Sequence, residues 1–198
     1  LCPGMEGAGV VEKVGEGVTE VGVGDRVAYA APPPPGAYAD SRNIPAQYLV
    51  KLPDAISYAQ GAAMMLQGMT VEYLIRRTYP VKAGETVLVH AAAGGVGLIQ
   101  CQWLDHLGVT VIGTVGSAEK AALAKAHGCQ HTINYRSENW VAQVKELTGG
   151  EGVDMVVDTV GEASWGDSLR SLRRSGRLVT CGATTGGHPS ADIQRLFS

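Results

Sequence analysis

Hydrophobic and polar positions change their period about a quarter of the way along the chain. From Gly7 to about Lys51, short alternating runs are broken by turns. "GAGVVEKVGEGV" alternates and then turns at glycine, "GDRVAYA" is a second strand, and "AYADSRNIPAQYLVKLP" reads as two more. The four prolines of "APPPPGA", residues 31–37, have no N–H to give a sheet and predict a stiff loop. From Ser57 to Thr78 the spacing turns helical, with Ser57 as N-cap and Ala62, Met65, Leu66, Met69, Tyr73 and Leu74 on one stripe.

Beyond the turn at Lys82–Glu85, strands and helices alternate. The strands are predicted at 86–90, 109–115, 131–134, 153–158 and 176–181, and the helices at about 95–107, 117–127, 137–148 and 163–174. Gly108, Gly128 and Gly149-Gly150 end the first three helices, where a left-handed residue is favoured. This alternation predicts an α/β fold, a doubly wound parallel sheet covered on both faces.

Composition narrows the function classes. Of 198 residues, 45% are apolar and 18% charged, which fits a packed globular chain. A net charge of −3 and a single Phe give no basic, aromatic-rich face for nucleic acid. No apolar run is long enough to span a membrane, and "LCPGMEGAG" is not a secretory signal. Cys2, Cys101, Cys129 and Cys181 lie far apart without metal-ligand spacing, which predicts reduced, mostly buried thiols in a cytoplasmic protein.

The candidate chemistry sits after the first strand of the alternating region. "VLVHAAAGGVGLIQ" places Ala92-Ala93-Gly94-Gly95-Val96-Gly97 between strand and helix. Read as A-x-G-x-x-G, it is a dinucleotide fingerprint. Small residues allow a tight turn, a pyrophosphate against uncovered backbone, and close helix–sheet packing. The helix N-terminus adds free N–H groups and partial positive charge. The other strand ends carry Gly116-Ser117, Tyr135, Thr159-Val160-Gly161 and Gly182-Ala183-Thr184-Thr185, again small or hydroxyl-bearing. Ligands of doubly wound sheets lie beyond these carboxyl ends. The second strand, "VTVIGTVGS", lacks the acid that holds an NAD ribose. Ser117 and Lys120 can hold a 2′-phosphate there, with Tyr135 and Arg136 nearby. Otherwise Ser117 is only an N-cap and Lys120 a solvated helix residue. His90 reads as a packed or backbone-bonded residue, and no side chain is assigned a catalytic role.

Taken in order, "PGMEGAGVVEKVGEGV", "GDRVAYA", "LQGMT", "VLVHAAAGGVG", "GTVGS", "INYR" and "DTVG" resemble the medium-chain dehydrogenase/reductase superfamily. More narrowly, they resemble its zeta-crystallin-like NADPH:quinone oxidoreductases. The resemblance implies part of a β-rich, GroES-like catalytic domain over 1–68 and an NADPH-binding Rossmann domain over 69–198. Thr70, standing before the nucleotide domain's first helix, and Tyr73 would face the nicotinamide half. Gly95 and Val96, within Gly94–Gly97, would cover the pyrophosphate. Gly116, Ser117, Lys120 and Tyr135 would surround the 2′-phosphate, and Val160 with Gly182, Ala183, Thr184 and Thr185 would line the path toward the nicotinamide.

Two departures from zinc-dependent relatives bear on the chemistry. Gly4-Met5-Glu6 stands where they carry Gly-His-Glu, and a thioether is a poor zinc ligand. Their four-cysteine lobe is replaced by the proline loop. The resemblance therefore implies a metal-free reductase of quinones or conjugated carbonyls. Its rivals are an enoyl reductase, a zinc-free alcohol dehydrogenase, or a crystallin-like or RNA-binding role. The resemblance starts part-way into the catalytic domain and stops before the last nucleotide-domain strand. It thus implies cofactor contacts with little turnover, a full-length homodimer, and an exposed apolar edge at 176–181.

Overall fold

The computed structural model describes residues 2–31, 34–191 and 193–196; part of the proline loop and the last residues lie outside them. The chain divides into two compact units, one ending at Met69 and the other beginning at Thr70.

In the first unit, β1 (Glu6–Val10), β2 (Arg26–Ala30) and β3 (Val50–Lys51) form an antiparallel sheet in that order. Val11, Val21 and Val27 make its small core. The two strands expected between Ala37 and Pro53 reduce to the two-residue β3, preceded by a 3₁₀ turn at Ala46–Tyr48. Pro45 sits ahead of that turn and has no N–H for a ladder, so pairing starts only after it.

Helix α1 (Tyr58–Glu72) begins in the first unit and ends in the second. Ser57 caps it with a reciprocal pair: Gln60 N–H donates to Ser57 Oγ at 3.2 Å, and Ser57 N–H donates to Gln60 Oε1 at 3.0 Å. The last turns widen into a π-helical segment, Tyr73–Thr78, where Tyr79 N–H reaches back to Leu74 O. The expected stripe is buried only in part. Leu74 is buried and Ala62 and Met65 half-buried, but Leu66, Met69 and Tyr73 are exposed, and the other buried positions, Val71 and Ile75, lie off the stripe. Apolar residues run consecutively through Ala62–Leu66, so the sequence specifies no single face.

The second unit is a five-stranded parallel sheet. Its strands are β4 (Thr86–Val89), β5 (Thr110–Val115), β6 (His131–Asn134), β7 (Val153–Asp158) and β8 (Leu172–Thr180), in the order β6-β5-β4-β7-β8. Helices α2 (Gly95–His106), α3 (Ala118–Ala126), α4 (Trp140–Leu147) and α5 (Trp165–Ser171) provide the crossovers. Alternate strand residues serve two cores. Val87, Val89, Val111, Met155 and Val157 pack with Cys101 and Leu104 of α2, while Leu88, Ile112, Ile133 and Val156 pack with Val144 of α4. Chain order reverses beside β4, where β5 lies on one side and β7 on the other. This is the topological switch point at which such sheets bind ligands.

Two element limits differ from expectation. Helix α4 starts after Asn139, whose Oδ1 accepts from Ala142 N–H at 3.2 Å. Helix α5 stops at Ser171 and β8 begins at once, four residues earlier than the spacing predicts. Leu172 pairs with Val153, the register shifts, and pairing resumes at Arg177 with Met155. Arg173 is pinned to Asp154, and Ser175 takes a positive φ of 61° in the bulge. β8 is an edge of the sheet; residues 176–181 carry the apolar Leu178, Val179 and Cys181 with Arg177, and Arg173 and Arg174 lie in the bulged stretch before them. Of the four cysteines, Cys101 and Cys129 are buried and Cys2 and Cys181 only partly so.

Candidate functional site

The turn from β4 into α2 is shaped by backbone proximity. Ala91 takes a positive φ of 51°, and Gly94 N–H closes onto Ala91 O at 2.8 Å. A Cβ at Gly97 would lie 2.4 Å from Ala91 O and 2.7 Å from Ala92 O, so the third small position is obligatory for the helix to pack this closely. Gly94 caps α2 without a side-chain hydrogen bond. The N–H groups of Gly95, Val96 and Gly97 lead the helix, ahead of the first intrahelical bond, which Leu98 N–H donates to Gly94 O at 2.8 Å.

The ends of β5 and β6 come together because the two strands pair in parallel, Val115 opposite Asn134, with Tyr135 N–H donating to Val115 O at 3.1 Å. A Cβ at Gly116 would lie 2.9 Å from the Tyr135 hydroxyl and 3.4 Å from Arg136 Nε, so the missing side chain lets Tyr135 close over the end of β5. Ser117 Oγ accepts from Lys120 N–H at 3.3 Å and caps α3. The Arg136 guanidinium lies 6.0 Å from the Tyr135 ring centroid. Gly116, Ser117, Lys120, Tyr135 and Arg136 thus share one rim, with Lys120 and Tyr135 exposed.

On the other side of β4, the loops after β7 and β8 are tied together. Thr185 N–H and Oγ1 both donate to Val160 O, at 2.9 and 2.8 Å, and Ala163 N–H donates to Thr185 Oγ1 at 3.0 Å. Thr184 N–H approaches Thr159 O at 3.4 Å, and Gly182 and Ala183 connect this loop to β8. Thr70 does not stand before a helix. It lies within α1, with Tyr73 one turn later and 40% exposed. Burial and then the Cys181 thiol push the Tyr73 phenol above its usual range.

Sequence reasoning missed a buried polar chain beneath these loops. The His90 ring is packed as expected, edge-on to Trp140 with centroids 5.0 Å apart, but its nitrogens bond to side chains and not to backbone. Its Nδ1 lies 2.9 Å from Thr114 Oγ1 and its Nε2 3.0 Å from Ser168 Oγ. Asp158 is fully buried, and Oδ2 accepts from both Ser164 and Ser168 hydroxyls at 2.7 Å. Oδ1 accepts from the N–H groups of Val160 and Gly161 at 2.8 and 2.9 Å. Burial alone would raise the Asp158 carboxyl. The bonds from Gly161, Ser164 and Ser168, with His90 nearby, outweigh it and hold the group below its ordinary value. An ionised carboxylate only accepts, so Ser168 must donate to it. The Ser168 oxygen then accepts from His90 Nε2–H, and Nδ1 accepts from Thr114. Burial, more than the Asp158 charge opposes it, pushes the imidazole below its ordinary value and keeps it neutral. The available signal was an Asp at a strand end two residues before a turn, which reads as an Asx turn.

The profile of the zinc-binding dehydrogenase family matches residues 95–198, more than half of the chain, and that of the alcohol dehydrogenase GroES-like domain matches residues 1–54. A quinone oxidoreductase of Salmonella typhimurium is 53% identical over 183 residues, covering 92% of this chain and 56% of that protein. A 2-haloacrylate reductase of a Burkholderia species is 47% identical, covering 94% of this chain and 56% of its own length. The crystal structure of Escherichia coli quinone oxidoreductase complexed with NADPH superposes with a TM-score of 0.91 at 48% identity, covering 98% of this chain and 59% of that one. The chain therefore spans a little over half the length of these relatives. With a glycine turn heading α2 at the switch point of a parallel sheet and a family profile across that region, the chain belongs to the zinc-binding dehydrogenase family of the medium-chain dehydrogenase/reductase superfamily.

Proposed function

We propose that this protein is an NADPH-dependent reductase that works without zinc and passes reducing equivalents to quinones or similar conjugated carbonyls. The observation that carries the cofactor reading is the β5–β6 rim. Gly116 lets the Tyr135 hydroxyl approach the end of β5, Ser117 heads α3, Lys120 and Arg136 supply cations, and no carboxylate ends the strand. A carboxylate there would repel a 2′-phosphate, whereas two cations and two hydroxyls attract one. Gly94, Gly95, Val96 and Gly97 receive the pyrophosphate at the α2 N-terminus. Thr70, Tyr73, Val160 and Gly182–Thr185 attend the nicotinamide half. NADPH, when bound, supplies the hydride. The protein's own residues bind, orient and keep water from the ring, and none is assigned as a general acid.

The family's name carries zinc, but the residues present do not fit it. Among the described residues, no three His, Cys, Asp or Glu side chains form a group able to hold a metal ion. The Cys2 thiol instead donates to Tyr38 O at 2.9 Å, and Met5 offers only a thioether. The same reading includes a cytoplasmic setting, a small-molecule substrate with no nucleic-acid partner, and a homodimer of the full-length protein. Among the described residues no helix is long and apolar enough to cross a membrane.

A second acceptor class is favoured by the 2-haloacrylate reductase relative, whose name specifies an activated carbon–carbon double bond. The test is oxidation of NADPH and of NADH by the full-length protein with a quinone, a haloacrylate and a simple aldehyde in parallel. Quinone turnover with NADPH preferred supports the first reading, haloacrylate turnover the second. Turnover with the aldehyde alone, or a zinc requirement, removes both.

A further inference from the structure

We propose that Asp158 is a positioning residue for the nicotinamide half of the cofactor, acting through the Val160–Gly161 turn that its Oδ1 holds. This rests on the NADPH reading above and deepens it. The two oxygens of the carboxylate face opposite tasks. Oδ2 is anchored inward by Ser164 and Ser168, each at 2.7 Å. Oδ1 faces outward and gathers the consecutive N–H groups of Val160 and Gly161. Gly161 sits at φ +89°, and a Cβ there would lie 2.5 Å from Gly186 O, so the β7 turn is pressed against the β8 loop. Val160 O in turn takes both donors of Thr185. One buried carboxylate therefore fixes the turn, and the turn fixes the loop carrying Thr184 and Thr185.

The anchoring extends across the switch point. Ser168 connects Asp158 to His90 at the end of β4, and His90 connects to Thr114 on β5. Asp158 has no Lys or Arg partner among the described ion pairs. His90 Nε2 is 4.0 Å away, and the ring is neutral. Four short hydrogen bonds in place of a counter-ion keep the charge where a displaced turn would leave it unsatisfied. This makes the turn rigid before any cofactor arrives, the condition for placing a ring with little ordering cost.

The test separates the halves of the cofactor. Affinities for NADPH and for 2′,5′-ADP, which lacks the nicotinamide mononucleotide, are measured on this chain by fluorescence or calorimetric titration. Asp158→Ala should weaken NADPH by about tenfold or more and leave 2′,5′-ADP within about twofold. Asp158→Asn keeps an acceptor at Oδ1 and should retain both affinities. Its amide turns the Ser168 hydroxyl toward His90, so the ring's proton should move from Nε2 to Nδ1, visible in the nitrogen-15 NMR spectrum. Gly161→Ala keeps Asp158 but displaces the turn, and should reproduce the selective loss even where Asp158→Ala fails to fold. Equal weakening of both ligands by Asp158→Ala, NADPH affinity unchanged by Gly161→Ala, or a wild-type imidazole protonated at Nδ1 alone would overturn the proposal. Wild-type chain that binds neither ligand would overturn the NADPH reading itself.

Discussion

At the β5–β6 end of the sheet, the polar side chains are exposed and stand on the first turn of a helix or just past a strand. Lys120, Tyr135 and Arg136 reach into solvent, and only Ser117 is committed to the backbone. At the β4–β7 end, His90, Thr114, Asp158, Ser164 and Ser168 are buried and bonded chiefly to one another. The first end suits recognition of a charged group that arrives with its own hydration, because exposed cations lose little when it is absent. The second suits holding backbone in place, because a buried donor or acceptor without its partner costs about 1–3 kcal/mol. Substitutions at the first end should change ligand preference with little effect on stability, whereas those at the second should cost stability and disturb binding only where they release the Val160–Gly161 turn.

The largest effect is expected between the two ends. Gly97→Ala puts a methyl 2.4 Å from Ala91 O, a backbone atom that cannot swing aside. Overpacking of this kind costs about 1–3 kcal/mol, and the displaced α2 N-terminus should also abolish cofactor binding. Denaturant unfolding and cofactor titration measure both, and a variant as stable as wild type with normal binding would show that the turn has slack.

Next comes Ser168→Ala, which leaves His90 Nε2 without its bond and Asp158 Oδ2 with one donor fewer. A loss of about 2 kcal/mol in unfolding free energy is expected, with the Val160–Gly161 turn and 2′,5′-ADP binding intact. A stability change near zero would mean that these buried groups lose nothing when a partner is removed.

The same pair of groups gives a pH signature. His90 is held below its ordinary value, so below about pH 6.5 the unfolded chain binds a proton that the folded chain refuses. Stability falls as the pH drops from there toward the folded value. The depressed Asp158 acts in the same direction at lower pH. Its stabilisation is present above the unfolded carboxylate value and disappears as pH falls through the folded one. His90→Gln should flatten the first part of the profile, although it is less stable overall. An unchanged slope between neutral pH and about pH 5 would assign that slope to other groups.

The smallest effects on the fold belong to the exposed rim. Lys120→Ala should leave unfolding unchanged while weakening NADPH by about 10- to 100-fold and NADH barely at all. Equal loss for both cofactors, or none, would make Lys120 a solvated helix residue. Then the contrast between the two ends would rest on Tyr135 and Arg136 instead.

Much of this architecture was readable in the residues. The strands at 86–90, 109–115, 131–134 and 153–158 appear within a residue or so of their predicted limits. Val-rich runs bounded by glycine leave few alternatives, and Gly108, Gly128 and Gly149 all adopt positive φ at helix ends. The glycine turn, Ser117 and Tyr135 were legible because a strand end followed by small or capping residues is a local pattern. The buried face of α1 was not, because its apolar residues surround the helix. Nor was the early start of β8, which depends on a bulge against β7 and the Arg173–Asp154 pair.

The sequence by itself determined the order of elements, the parallel sheet and the tight glycine turn between β4 and α2. The order, the sheet and the tight glycine turn follow from period, punctuation and side-chain size within a few residues of chain. Tertiary structure alone decided that His90, Thr114, Asp158, Ser164 and Ser168 form one bonded unit. They come from three strands and a helix up to 78 residues apart. Each alone is an unremarkable polar residue near a strand end or in a helix. Only parallel pairing of β4 with β5 and β7 brings their donors and acceptors within bonding distance, where burial makes every partner count.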